Sequence, residues 1–326
     1  MKKLLSIFLT ALMLISTVII SVGAINSDST EPKSISMTVY DVETGEETVE
    51  EYQIDPEIIK ALSSKAVATT TPTIMSSPSI PQYNLCLLSG DAEFTNIGLS
   101  RVSNSTLNPY SAIGLYKVKK ELNITHGYGT AFMVSDNVAV TVAHNLYDKE
   151  NNKWFRSGDF YPGKNASGIG NEPYGWTYAK KWAVCTQYIE NTEERYNSYY
   201  DWGAIVFDKP IGKKCGKLTL SPLSYDEIRN AELMTAGYPQ YTSKSINLVN
   251  YCQYERKMSA AIIMPEFFTA PVYTLGGQSG SPVIANGVVC GIVASKPRNE
   301  ATQQTTYTRI NETAYSYLMQ FIADNA

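Results

Sequence analysis

Within Thr274-Leu275-Gly276-Gly277-Gln278-Ser279-Gly280-Ser281-Pro282-Val283, one hydroxyl sits among three glycines. A serine hydroxyl is a poor nucleophile at neutral pH. It attacks only when a neighbouring base takes its proton and when donors fixed in advance receive the charge that develops on the substrate oxygen. Gly276, Gly277 and Gly280 allow backbone angles closed to residues with a Cβ, so successive N–H groups can converge beside the Ser279 Oγ. Ser279 is therefore the candidate nucleophile. The apolar run that starts at Pro282-Val283-Ile284-Ala285 sets this loop at the mouth of a buried strand. Taken alone, the same residues also describe a plain glycine-rich hairpin turn.

A base has few sources, because the chain has only two histidines, His126 and His144. His144 ends Val138-Ala139-Val140-Thr141-Val142-Ala143-His144, an alternating apolar strand that runs straight into the imidazole and aims it rigidly. The third group needed is a shielded carboxylate, which orients the imidazole and stabilises the imidazolium. Asp201 fits, since it opens the apolar run Asp201-Trp202-Gly203-Ala204-Ile205-Val206-Phe207, whereas Asp148, Asp159 and Asp226 have polar surroundings.

These three stretches, in the chain order His, Asp, Ser, resemble the chymotrypsin-like serine peptidases, and most of all their bacterial glutamyl endopeptidase branch. The resemblance runs from about Arg101 to the end and includes Arg101-Val102-Ser103-Asn104 and Pro109-Tyr110-Ser111-Ala112-Ile113 near its start. It implies a secreted serine endopeptidase with His144, Asp201 and Ser279 as the triad and the N–H groups of Gly277 and Ser279 as the oxyanion hole. It also implies an all-β fold of two antiparallel six-stranded β-barrels with a C-terminal helix, His144 and Asp201 coming from the first barrel and Ser279 from the second. A serine esterase would place Asp between Ser and His in the chain, and no histidine follows Ser279. A non-catalytic homologue used as a binding module is the alternative reading; such proteins usually lose a triad residue, and all three are present.

The elements that must position these groups read as many short strands separated by turn signals, the pattern of a sandwich or barrel. Strands are expected at 111–118, 127–134, 137–142, 182–185 and 202–207. After a basic, glycine-punctuated connection near 209–218 that joins the two barrels, further strands are expected at 231–238, 246–254, 258–263, 281–285 and 287–294. Residues 149–180 are polar and read as long surface loops. From Ile310 to Ile322, apolar residues recur at three and four behind Asn311, a suitable N-cap, so a terminal helix is expected.

Before this region, Met1-Lys2-Lys3, an apolar stretch from Leu4 to Val22 and Val22-Gly23-Ala24 read as a signal peptide of residues 1–24, an uncleaved membrane anchor being the competing reading. Residues 25–100 are acidic and end in a Thr-, Ser- and Pro-rich stretch, with a short helix expected over Ile54 to Leu62. They read as a propeptide and linker ahead of a peptidase domain at 101–326. Over 25–101 there are twelve Asp and Glu against four Lys and Arg; over 102–326 there are nineteen against twenty-one, so opposite charge is expected to help the propeptide dock. The mature amino terminus is expected between about Gly90 and Val102.

The chain of 326 residues carries a net charge of −4 and no charge run long enough for a nucleic-acid surface. It has no P-loop or dinucleotide fingerprint, and two distant histidines make poor metal ligands, so no cofactor or metal is expected. The expected partners are polypeptide substrates and the chain's own propeptide, with the mature protein monomeric, secreted and free of the membrane. Cys86, Cys185, Cys215, Cys252 and Cys290 give an odd count. With Cys86 removed in processing, the other four allow three pairings, and free buried thiols are the alternative. Some relatives carry a disulfide around the catalytic histidine; Gly129 and Asn145 occupy those neighbourhoods here, so no bridge is expected there.

In specificity the chain departs from the branch it resembles. Glutamyl endopeptidases hold an acidic side chain with a hydroxyl five residues before the nucleophile, a histidine on the following strand and the mature amino terminus. Thr274 keeps the hydroxyl, but Val293 stands where the histidine is expected. Lys296 and Arg298 are the nearest substitute cations. The apolar wall of Val293 and Ala294 favours a pocket that takes uncharged side chains.

Overall fold

The computed structural model describes residues 35–52, 91–121, 124–166, 171–193, 197–240, 252–295 and 304–326. The expected signal peptide (1–24), the helix expected at 54–62, the Thr-, Ser- and Pro-rich stretch, Cys86, Lys296 and Arg298 lie outside these residues.

In chain order the first strands are β1 (Ile35–Asp41), β2 (Glu47–Tyr52), β3 (Ser100–Arg101), β4 (Ile113–Glu121), β5 (Ile124–Met133) and β6 (Val138–Thr141). Next come β7 (Tyr147–Asp148), β8 (Lys153–Trp154), β9 (Ser157–Pro162), β10 (Thr177–Cys185) and β11 (Gly203–Phe207). The last are β12 (Leu233–Gly237), β13 (Tyr254–Met258), β14 (Ile262–Ile263), β15 (Phe267–Ala270), β16 (Pro282–Ala285), β17 (Val288–Ser295) and β18 (Thr305–Arg309).

The order β11-β6-β5-β4-β9-β10, with β10 returning to pair with β11, closes a six-stranded barrel. β1 and β2 add to it beyond β10. The expected second barrel is instead an open sheet among the described residues, ordered β14-β15-β18-β17-β16-β12-β13-β3. Its edges explain this. β3 takes the free side of β13, with Arg101 opposite Tyr254, and β14 takes the free side of β15, with Ile262 opposite Thr269.

The stretch expected to be loop at 149–180 contains β9 and the start of β10. In β9, Gly158, Phe160 and Pro162 are buried and alternate with Ser157, Asp159 and Tyr161. Only one inward residue is a large apolar one, because Tyr116 fills the space over Gly158: a Cβ there would lie 2.0 Å from the Tyr116 Oη. The basic connection between the sheets forms a single helical turn at Gly212–Cys215. Its Gly212 N–H donates to the Asp136 carbonyl at 2.8 Å, and Lys217 Nζ reaches the Asp136 carboxylate at 2.6 Å.

The terminal helix runs over Glu312–Asn325, and the Asn311 side chain caps it by accepting from the Ala314 N–H at 2.9 Å. It follows the second sheet in sequence, yet Ala314, Tyr315, Tyr317, Leu318, Phe321 and Ile322 are buried in the core of the first barrel. No helix of the described residues is long and apolar enough to cross a membrane. Cys185, Cys215, Cys252 and Cys290 are all buried, with no disulfide between them. They sit in different cores: Cys185 and Cys215 in the first barrel, Cys290 in the second sheet, and Cys252 with Phe94, Leu99 and Tyr254. Burial pushes the thiols of Cys185, Cys215 and Cys290 up to about 12.

Candidate active site

Strand pairing brings the imidazole and the carboxylate together. β6 is buried along its whole length and pairs antiparallel with β11, Thr141 opposite Gly203. His144 lies in the 3-10 turn Ala143–Asn145 that follows β6, and Asp201 just precedes β11, so both leave the same end of the strand pair. Asp201 then grips the histidine twice. Its Oδ2 is 2.7 Å from His144 Nδ1, and its Oδ1 accepts the His144 backbone N–H at 3.0 Å. The Asp201 side chain is only 7% exposed while the imidazole is 35% exposed, so the carboxylate is shielded and the imidazole is open. Burial of the ring opposes its charge, but the Asp201 charge and hydrogen bond outweigh that, and the His144 pKa is raised above its ordinary 6.5.

The loop that carries Ser279, the candidate nucleophile, is fixed through its carbonyls. The Ser279 carbonyl accepts from Asn145 Nδ2 at 3.0 Å and from the Thr130 N–H at 2.8 Å, while Thr130 Oγ1 donates to the Gly277 carbonyl at 2.8 Å. Asn145 Nδ2 also bonds Thr141 Oγ1 at 2.9 Å, which in turn donates to the Thr130 carbonyl at 2.7 Å. All three of these side chains belong to the first barrel. The loop can come this close only as glycine, since Gly280 has φ +88° and a Cβ on it would lie 1.9 Å from the Thr130 carbonyl oxygen.

The peptides that carry the N–H groups of Gly277 and Ser279, the candidate oxyanion donors, are also pinned. Gly276 O accepts from the Gln240 N–H at 2.7 Å, and Gln278 O accepts from the Ser281 N–H at 2.9 Å. Each bond turns the N–H of the same peptide, on Gly277 and on Ser279, to the opposite side. Neither N–H has a backbone partner among the described residues.

Of the residues expected in the specificity pocket, Thr274 is buried with its Oγ1 3.1 Å from Thr305 Oγ1. Val293 is buried opposite Tyr307, and its backbone flanks the loop: its carbonyl accepts from Gly280 N–H and its N–H donates to Ser281 O, both at 2.9 Å. Three residues went unremarked as site groups in the sequence. Asn145 and Thr130 are the clamp described above. A Cβ on Gly129 would lie 2.4 Å from Asn145 Nδ2, so the two positions that lack cysteine are packed against each other.

The third is Arg256. This guanidinium is 5% exposed, donates Nη1 to the Tyr273 carbonyl at 2.7 Å and Nη2 to the Ile97 carbonyl, and has no carboxylate partner among the described residues. Its Nε and the buried Tyr307 hydroxyl are without hydrogen-bond partners. Burial lowers the Arg256 pKa, and Tyr307 partly offsets this; burial also raises that of Tyr307. A cavity of about 640 Å³ lies against Arg256, Ile97, Gly98, Val272 and Tyr273.

No family model matches the chain. A glutamyl endopeptidase of Bacillus licheniformis is 26% identical over 207 residues, which are 64% of this chain and 57% of that protein. An extracellular metalloprotease of Bacillus subtilis is 27% identical over 188 residues, 57% of this chain and 55% of that protein. The matched segments thus span little more than half the length of either relative. The solved structure of a Glu endopeptidase in complex with MPD superposes with a TM-score of 0.59 at 20% identity, covering 69% of this chain and 96% of that one. The fold is chymotrypsin-like. Among the described residues, no group of three or more His, Cys, Asp or Glu side chains is placed to hold a metal ion.

Two outcomes follow for the site. Because the base must be neutral to accept a proton, hydrolysis should rise with pH through a value above 6.5. In Asp201→Asn the opposing effect of burial is left alone, so the residual rate should rise through a value below 6.5; an unmoved limb would show that Asp201 does not set the titration. The same raised pKa stabilises the fold below the ordinary value, a contribution lost as pH climbs through the folded value, so activity and this part of stability run in opposite directions. Asn145→Ala and the near-isosteric Asn145→Asp should each lower kcat by about tenfold, the equivalent of one hydrogen bond to a carbonyl, with KM within about twofold. Wild-type kcat in both would show that the clamp does not position the nucleophile.

Proposed function

We propose that the chain is a secreted serine endopeptidase that hydrolyses peptide bonds through an acyl-enzyme. The observation that supports this most is the shielded Asp201 carboxylate on His144 Nδ1, joined through the very next residue, Asn145, to the carbonyl of Ser279. A binding module has no use for an orienting acid, an open imidazole and pinned oxyanion peptides in one place.

In the reaction, the Ser279 Oγ forms a bond to the scissile carbonyl carbon as its proton passes to His144 Nε2. The resulting oxyanion accepts from the N–H groups of Gly277 and Ser279. His144 then gives that proton to the leaving amine as the C–N bond breaks, and a water deprotonated by the same nitrogen releases the acid product. Asp201 stays ionised throughout and stabilises the transient imidazolium. The similarity to an extracellular metalloprotease and the amino-terminal apolar stretch support export. Processing then removes the link ahead of the catalytic region. Phe94 and Leu99 are buried with Cys252 and Tyr254, so the cut falls on the amino-terminal side of Phe94.

Specificity turns on Arg256 rather than on the wall of Val293 alone. A buried cation without a counter-charge raises the potential around it, and at an effective dielectric near 20 it attracts a carboxylate by about 2 to 4 kcal/mol over roughly 8 to 4 Å. Arg256 holds the carbonyl of Tyr273, the residue before Thr274, and acts electrostatically on Tyr307, which faces Val293. The preference proposed is therefore for an acidic side chain before the scissile bond, replacing the uncharged preference that Val293 suggests.

Ser279→Ala should abolish hydrolysis and labelling by a fluorophosphonate, since the triad acts as a unit. Retained activity sinks the endopeptidase assignment. Matched peptides with Glu or Gln before the cut differ only in charge, and Glu should be favoured at least about tenfold in kcat/KM. Equal or faster cleavage after Gln would remove Arg256 from specificity and leave the triad untouched.

A further inference from the structure

The hairpin of β1 and β2 comes from the acidic stretch ahead of the catalytic region, yet it is built into the first barrel. β10 pairs with β9 only at Thr177 and Tyr178. Where β9 departs, β1 takes that edge, Met37 opposite Cys185 through Asp41 opposite Lys181. Without β1 these residues of β10 would present unpaired N–H and C=O groups beside an apolar core, which is costly and invites aggregation.

The side chains agree. Met37, Thr38 and Val39 are buried, and Met37 and Val39 join the core that holds Val142, Ala143 and Leu146 around the histidine. Tyr40 stacks on Trp154 at 5.0 Å and on Trp182 at 5.9 Å. Tyr52 packs on Tyr317 at 5.7 Å, its carbonyl accepts the Tyr317 hydroxyl at 3.2 Å, and Tyr317 stacks on Trp202 at 6.0 Å, beside Asp201. Glu43, Glu46 and Glu51 face solvent, while Glu47 accepts from Trp154 Nε1 at 2.5 Å. Apolar and aromatic contacts and this hydrogen bond hold the hairpin, and the exposed acidic groups keep its outer edge from pairing with other chains.

We infer that residues 35–52 are permanent strands of the working protein, which remain bound as a separate peptide when the chain is cut between Tyr52 and Phe94. The reading of processing given above supplies only the place of the natural cut. An engineered cut removes even that dependence: a site-specific protease sequence inserted between Pro72 and Thr73 of the full-length protein is cleaved, and the product is passed through gel filtration in high salt. Intact mass of the denatured fractions should show a peptide containing 35–52 in one-to-one ratio with the body.

Met37→Asp together with Val39→Asp should release that peptide after cleavage. The stripped body should lose at least about tenfold in rate and recover it on addition of a synthetic peptide of residues 33–54. Release of the wild-type peptide on gel filtration overturns the inference, as does a body that keeps its activity and Tm without it. Co-elution is read by mass, so a protein that retains the peptide but hydrolyses nothing would sink the proposed activity and leave the strands where they are.

Discussion

The loop that carries Ser279 is held from both sheets, and the structure depends on how the two hold it. From the first barrel Thr130 and Asn145 take the carbonyls of Gly277 and Ser279, while the Gly276 and Gln278 carbonyls, one residue ahead of each, are taken by the N–H groups of Gln240 and Ser281. A peptide with a fixed carbonyl has a fixed N–H, because the group is planar. Holding the Gly276 and Gln278 carbonyls through the Gln240 and Ser281 N–H groups therefore aims the N–H groups of Gly277 and Ser279, the proposed oxyanion donors, to the opposite side. Donors oriented before the reaction spend no free energy on reorganisation when charge appears, which is where electrostatic catalysis gains most. The same clamp sets the distance between the two halves of the site, since Asn145 is next to His144 in the chain.

How much of this was legible in the sequence depends on whether the information was local. The glycines around Ser279, the strand into His144 and the apolar run after Asp201 are local patterns, and each marks its element. The terminal helix was equally plain from Asn311 and the apolar repeat. What failed to show was burial of polar or small residues. β9 alternates Gly158, Phe160 and Pro162 inward, and β18 turns Thr305, Tyr307 and Thr308 to the interior, so neither carries a hydrophobic signal. Asn145 and Arg256 were invisible for a related reason: their partners, Ser279 and Tyr273, are distant in sequence, and nothing about an isolated Asn or Arg announces which carbonyl it will meet.

In the acidic amino-terminal stretch, composition describes only part of what the structure shows for residues 35–52. Its charge suggested a segment docked by complementarity. In β1 the three consecutive residues Met37, Thr38 and Val39 are buried and Tyr40 stacks on Trp154 and Trp182, while Glu43 and Glu46 in the turn after it are exposed. Net charge describes the solvent face of such a hairpin, and the contacts of its inner face are set by other residues.

Asp201 gathers these threads. In the proposed mechanism its carboxylate must stay shielded and still, because an imidazole oriented by a mobile acid would lose the alignment that proton transfer needs. Three parts of the chain brace its surroundings from different directions. Pairing of β11 with β6 fixes it along the barrel wall, and Thr308 Oγ1 of the second sheet donates to the Ser198 carbonyl at 2.7 Å and the Asp201 carbonyl at 3.3 Å. On the outer side Trp202 is covered by Tyr317 of the terminal helix, which is itself covered by Tyr52 of the hairpin. The first and last described stretches of the chain thus meet behind the acid. This accounts for a terminal helix that leaves the second sheet to bury its apolar face against the first barrel: Tyr317 closes the outer side of Trp202, next to the shielded carboxylate.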